Sequence, residues 1–436
     1  MPELNPPHYH ELRPFHERLP RQLREWAPIA PAMTPVEDEV YPDIPDDLVS
    51  RADRDVTPDD WQRLHQDVPG DTMSGYRFDS AARRDILAIE KAAQRLGVAG
   101  VPTLGSYALA VLRAQQAMAG VVVRTDFSPY TSTSGGRRLT VDMKHDADQP
   151  IGAFKLRGAY NVMRQLSDEQ RAGGVIAASA GNHAQGVAYS ARLLDTPATL
   201  VMPTTTARVK VAAVEAYGAH VILAGTTFEA ASRYCRQLLH ERPHLFAIDP
   251  FDDEQIMIGQ ATLAAELLQQ NPDFTHLFVP VGGGGLYAGV ATYLHEVRPD
   301  VRVIGVEPQG ANGMTRSLQA AIYTPSPRLE TIAEGAAAQP GHRTLEALQR
   351  VVTAESMVNV SDMAIARAVV ELHQNGLPTE ATGAIALAGL WQYIKEHDSS
   401  DKFAVLRTGK NIDASKLKYL YELAGVQQID RLRLVV

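Results

Sequence analysis

Val279-Pro-Val-Gly282-Gly-Gly-Gly285-Leu-Tyr-Ala-Gly289 reads as the end of an apolar strand, a glycine turn and the start of a helix. The successive glycines let the backbone turn its N–H groups inward and come close to a ligand. The helix N-terminus adds about half a positive charge, so an anion is implied at Gly282, Gly283, Gly284 and Gly285. Which anion stays open on these residues alone. Gly283-x-Gly285-x-x-Ala288 also fits a dinucleotide fingerprint, with Glu307 about twenty residues further on at the end of the next strand.

Outward from this turn, short β-branched runs alternate with helical segments. Strands are expected over 139–143, 174–178, 198–201, 220–223, 277–281, 301–306 and 402–406. Helices are expected over 106–118, 182–194, 208–216, 228–239 and 255–269, besides the one that opens at Gly285. This alternation predicts βαβ units, and so an α/β fold of largely parallel sheets flanked by helices. Ligands in such sheets sit at the carboxyl ends of strands, where loops meet helix N-termini.

Gly152-Ala-Phe-Lys155-Leu-Arg-Gly-Ala-Tyr-Asn161 follows a polar Asp-Gln-Pro turn and places Lys155 between Phe154 and Leu156. An amine in apolar surroundings loses part of its charge stabilisation and becomes a usable nucleophile toward a carbonyl. A lysine stem laid along an apolar surface is the alternative. Ser179-Ala180-Gly181-Asn182-His183-Ala-Gln-Gly186 is a second small-residue loop between strand and helix. Its amides suit a carboxylate and Asn182 can donate to a ring or substrate oxygen, while capping of the helix is the purely structural reading. Val405-Leu-Arg-Thr408-Gly-Lys-Asn-Ile412 is a third junction, with a hydroxyl at the strand end.

Together, the lysine, the two amide-rich loops and the terminal hydroxyl resemble the fold type II (tryptophan-synthase-like) pyridoxal-phosphate enzymes, and within them the threonine/serine dehydratase branch. The motifs keep the family's order from about Ser106 to Asp413, with further matches at Phe251-Asp-Asp-Glu, Val306-Glu-Pro, Glu334-Gly and Glu380-Ala-Thr-Gly-Ala. The resemblance implies pyridoxal 5'-phosphate as cofactor, with Lys155 as its Schiff-base lysine and Gly282 to Gly285 around its phosphate. It places Asn182 at the ring hydroxyl, Thr408 at the pyridine nitrogen, and Ser179, Ala180, Gly181, Asn182 and His183 at the substrate carboxylate. A neutral hydroxyl at the ring nitrogen makes the cofactor a weaker electron sink, suited to expelling a β-leaving group. The dinucleotide reading leaves the lysine and asparagine motifs unexplained.

The implied activity is α,β-elimination from a β-hydroxy amino acid such as L-threonine or L-serine, giving a 2-oxo acid and ammonia. β-Replacement or another specialised amino-acid reaction is the alternative, and an inactive partner subunit is a third reading. The implied architecture has a large cofactor-binding lobe from 105–173 and 253–436, a small lobe at 174–252 and an N-terminal extension at 1–104. A homodimer is also implied.

Some positions depart from the family's pattern. Ala153 stands where serine is usual before the phenylalanine. Ala180 stands where racemases of this branch carry a serine, which argues against racemisation. Cation-binding relatives use a glutamate, a carbonyl and an aspartate after the Val-Glu-Pro strand. Here Glu307 and Ala311 are followed by Gly313 at the third position, so no metal is expected. Lys410 interrupts the usual Gly-Gly-Asn, where it would meet an acidic substrate group or solvent.

Composition sets the remaining bounds. A chain of 436 residues exceeds what one growing core supports, so two lobes are expected. The formal net charge of -9 argues against nucleic acid or an anionic membrane as partner. Cys235 is the only cysteine, so no intrachain disulfide forms and a reducing cytoplasm fits. Neither a secretory signal pattern nor an apolar run of membrane-spanning length is present. Residues 1 to about 75 are rich in proline and acids and read as an extended arm, with His8, His10 and His16 in a solvated tail. An amphipathic helix is expected over 81–96.

Overall fold

The computed structural model describes residues 105–134, 136–397 and 401–426. The expected arm, the 81–96 helix, and His8, His10 and His16 lie outside the described residues. Both sheets of the described residues lie within one compact unit that begins at Val111. Its strands are β1 (Phe127–Ser134), β2 (Arg137–Lys144), β3 (Val175–Ala178), β4 (Ala198–Met202), β5 (His220–Leu223), β6 (Phe246–Ala247), β7 (His276–Pro280), β8 (Arg302–Pro308), β9 (Met357–Val360) and β10 (Phe403–Leu406).

One sheet runs β1-β2-β10-β7-β8-β9 and the other β5-β4-β3-β6. β1 and β2 are antiparallel, with Phe127 opposite Lys144. Every other pairing is parallel, as the βαβ alternation requires. β1 is a polar edge strand carrying Pro129, which an edge tolerates because one side of its ladder is unpaired.

The larger core lies around the Ala381–Tyr393 helix, which is apolar on nearly all sides and packs Ile385 and Leu390 among Phe278, Val306 and Val405. The smaller core matters more for the site. There Val175, Ala177, Leu200 and Met202 meet Ala184, Val187 and Ala188 of the Asn182–Leu193 helix, and Ala159 and Met163 of the Leu156–Met163 helix. Small side chains let these two helices approach closely. A Cβ at Gly186 would lie 3.3 Å from both the Ala159 Cβ and the Lys155 carbonyl oxygen. Packing thus holds the asparagine loop and the lysine turn side by side.

Candidate functional site

The lysine turn starts at Gly152, whose φ of 72° lies in the left-handed region. A Cβ there would sit 2.5 Å from Oδ1 of Asn411, so glycine is required both by conformation and by space. The turn is stitched to the end of β10. Ala153 bridges Gly409, the Phe154 amide donates to the Thr408 carbonyl at 3.0 Å, and the Lys410 amide donates to the Gly152 carbonyl at 2.9 Å. Lys155 then caps the Leu156–Met163 helix. It is half-buried; its Nζ donates to the Pro250 carbonyl at 2.6 Å and lies 5.3 Å from the Phe154 ring centroid. Burial pushes the amine down to about 8 against a weaker opposing pull from Asp249.

Behind the turn sits an ionic network that the sequence alone did not reveal. Arg157, fully buried, makes a bidentate pair with Asp146 at 2.8 and 2.7 Å and donates to Glu266 at 2.7 and 2.9 Å. Burial opposes ionisation of Asp146, but the Arg157 guanidinium overcomes it and holds the carboxyl below the usual range. The pair ties the turn at 146–148 to the helix that follows Lys155. Lys144 offers a contrast with Lys155. Its ammonium donates to the Thr125 carbonyl, Glu266 and Gln270 at 2.8, 2.7 and 2.8 Å, which satisfies every hydrogen it has. Lys155 has a neutral carbonyl as its partner, and so is the amine available for chemistry.

The glycine loop follows β7. Gly284 adopts a φ of 101° and caps the Gly285–Val297 helix. The Gly283 carbonyl accepts from the Gly341 amide at 2.9 Å and the Thr344 hydroxyl at 2.7 Å. Those groups belong to the start of the His342–Val351 helix, whose first amides Asp252 accepts: His342 at 3.1 Å, Arg343 at 2.8 Å and Thr344 at 3.1 Å. A Cβ would run into the Phe251 ring at Gly283, and would lie 2.8 Å from the Phe251 carbonyl at Gly285 and 2.9 Å from the Ala336 Cα at Gly282. With the carbonyl held on one side, the amides of the helix's first turn have no intrahelical acceptor and are left for an anion.

In the asparagine loop, the Ser179 amide donates to the Val201 carbonyl at 3.1 Å and the Gly181 amide to the Ser179 hydroxyl at 3.3 Å. Ala180 packs on the core of the smaller sheet. Asn182 opens its helix and donates its side-chain Nδ2 to Glu380 at 2.7 Å, while Asn411 donates to Asn182 Oδ1 at 2.8 Å. His183 is placed differently from its neighbours. Its ring is 4% exposed and Nε2 contacts the Ile248 carbonyl at 3.1 Å. Burial, helped by Lys155, pushes the imidazole down to about 4, so it is neutral and Nε2 donates. The ring anchors the loop from below, leaving the backbone amide as the part of His183 free to meet a ligand.

Thr408 is 1% exposed at the end of β10. Beside it, Glu380 donates its amide to the Gly409 carbonyl at 3.1 Å, and burial pushes its carboxyl up to about 7 against the Asn182 hydrogen bond. Lys410 meets neither solvent alone nor an open substrate position; it pairs with Asp148 at 2.9 Å, which also accepts from Arg407 at 3.1 Å. Glu307 caps the Gly313–Ala320 helix, accepting from the Met314 amide at 2.9 Å and from the Thr315 amide and hydroxyl at 2.8 and 2.6 Å. Among the described residues, no cluster of three His, Cys, Asp or Glu side chains could hold a metal. An amine held by one neutral carbonyl, an anion cradle too tight for any Cβ, and a donor amide and hydroxyl on adjoining turns fit pyridoxal phosphate.

Comparison with known proteins agrees with this geometry. Residues 124–409 match the family described as pyridoxal-phosphate dependent enzyme. The chain is 42% identical over 287 residues to threonine dehydratase of Nicotiana attenuata, covering 65% of this chain and 47% of that protein. It is 38% identical over 328 residues to the biosynthetic L-threonine dehydratase of Escherichia coli, covering 74% and 63% respectively. The chain therefore spans from about half to under two thirds of these curated relatives. Among solved structures, the processed form of threonine deaminase isoform 2 from Solanum lycopersicum superposes with a TM-score of 0.69 at 36% identity, over 74% of this chain and 94% of that one. Maize serine racemase gives a TM-score of 0.65 at 32% identity, over 72% and 96%.

Proposed function

The chain belongs to the pyridoxal-phosphate dependent enzymes, and on that premise we propose that it catalyses α,β-elimination from a β-hydroxy amino acid such as L-threonine or L-serine. The products are a 2-oxo acid and ammonia. The observation that carries the reading is Lys155: a half-buried amine lowered to about 8, held by one carbonyl at 2.6 Å and stitched to the Thr408 turn.

Bound pyridoxal phosphate supplies an electron sink for the pair left when the substrate's Cα loses its proton. Lys155 would hold the cofactor and, once displaced by the substrate amine, take the Cα proton; a pKa near 8 leaves a useful unprotonated fraction at neutral pH. The amides of Gly282, Gly283, Gly284 and Gly285 would hold the phosphate, Asn182 would donate to the ring oxygen, and Thr408 would face the ring nitrogen. The loop from Ser179 to His183 would orient the substrate carboxylate, with the Ser179 hydroxyl and the His183 amide as donors, since the Ser179 and Gly181 amides already have acceptors. The β-hydroxyl departs as water, and hydrolysis of the enamine product consumes a water, so the balance is amino acid to 2-oxo acid plus ammonia. Ala180 offers no acid or base on the opposite face, which favours elimination over racemisation. The Lys410–Asp148 pair occupies the lysine that otherwise speaks for β-replacement.

The same reading sets the site between a small lobe at 174–252 and the large cofactor-binding lobe, in a cytoplasmic homodimer; the buried lone thiol of Cys235 is compatible with a reducing setting. Ammonia release from purified chain given serine, threonine, phenylserine and hydroxyaspartate tests the reaction. Turnover of threonine or serine is expected, and no keto acid from any of the four would contradict elimination.

A further inference from the structure

Resting on the function proposed above, the structure carries one inference about how Asn182 is oriented. The two ends of a carboxamide are nearly the same shape, so a free asparagine at this position would offer a ring oxygen either a donor or an acceptor. Here the choice is made by a chain of hydrogen bonds that begins at a backbone carbonyl. The Ile151 carbonyl can only accept, and it accepts from Asn411 Nδ2 at 2.8 Å. The same nitrogen donates to the atom of Asn182 that faces it at 2.8 Å, which must therefore be Oδ1. The Asn182 nitrogen is then on the other side, where one hydrogen goes to Glu380 Oε1 at 2.7 Å and the second remains.

Both supports are themselves fixed. Asn411 lies against the left-handed Gly152, where no Cβ fits. Glu380 is the N-cap of the Ala381–Tyr393 helix, and its amide donates to the Gly409 carbonyl at 3.1 Å, which ties it to the turn that presents Thr408. We propose that Asn411 and Glu380 are positioning residues that lock the Asn182 carboxamide with an N–H, and not its oxygen, directed to the cofactor ring.

The test uses the full chain reconstituted with pyridoxal phosphate, reading cofactor affinity and the visible band by titration. Asn411→Asp keeps the shape but replaces the donor with an acceptor. It and Asn182→Ala should each weaken cofactor binding about tenfold, the size of one positioned hydrogen bond, and displace the visible band. In the Asn182→Ala background, Asn411→Asp should add less than about threefold, because its effect runs through Asn182. Glu380→Gln, which can still accept, should stay near wild type, whereas Glu380→Leu should resemble Asn182→Ala; this pair carries the test if Asn411→Asp does not fold. Undiminished affinity and an unmoved band in Asn411→Asp, or a full additive effect in the double variant, would overturn the inference while leaving the proposed reaction standing. A wild-type chain that takes up no cofactor would overturn the reaction and this inference together.

Discussion

The two strand-to-helix loops reach the same end by opposite means. The glycine loop at 282–285 is fixed by its main chain: the Gly283 carbonyl is held by Gly341 and Thr344, and Phe251 and Ala336 leave no space for a Cβ. The asparagine loop at 179–183 is fixed by side chains, with Asn182 held by Glu380 and Asn411 and His183 anchored on the Ile248 carbonyl. Around Gly181 there is open space, nothing lying within 4 Å of a Cβ. Glycine is a steric necessity in the first loop and a convenience in the second. Phosphate recognition needs bare amides at close approach, whereas a ring oxygen and a varied substrate are better met by adjustable polar side chains.

Single substitutions break this comparison if it is wrong. Gly283→Ala drives a methyl group into the Phe251 ring and should weaken cofactor binding by about a hundredfold, the upper end of overpacking strain, when measured by equilibrium titration. Binding within a few-fold of wild type would mean that the loop yields. Asp252→Ala removes the carboxylate that accepts three amides beneath the glycine loop. It should lower stability by about 1 kcal/mol in denaturant unfolding, the usual loss of a helix cap, with a smaller loss of cofactor affinity than Gly283→Ala. Gly181→Ala should have the least effect: its φ of -128° suits any residue, and stability should stay within about 0.5 kcal/mol of wild type. A large loss there would show that the asparagine loop also depends on bare backbone.

Much of this was legible in the sequence, and for identifiable reasons. β-Branched runs between helical segments mark the parallel strands, because strands buried on both faces read as continuous apolar runs. Glycines between a strand and a helix mark the tight turn proposed to hold the phosphate, and an amine flanked by Phe154 and Leu156 marks the lysine proposed to hold the cofactor. What escaped has no local signature. β1 mixes hydroxyl residues with Pro129, as an edge strand can. The Pro250 carbonyl that receives Lys155 carries no side-chain signal. Arg157 finds Glu266 across 109 positions, a pairing that only the fold brings about. Sequence neighbours left Lys410 open between an acidic substrate group and solvent and gave Glu307 no expected metal; the fold pairs Lys410 with Asp148 and makes Glu307 a helix cap.

Lys155 is proposed as the amine that holds the cofactor, and borohydride reduction of the reconstituted full chain followed by peptide mass mapping tests this most directly. The pyridoxyl adduct is expected on the peptide carrying Lys155 and should vanish in Lys155→Ala together with the visible band. An adduct on Lys144, Lys410 or any other lysine, or full labelling of the Lys155→Ala chain, would contradict it.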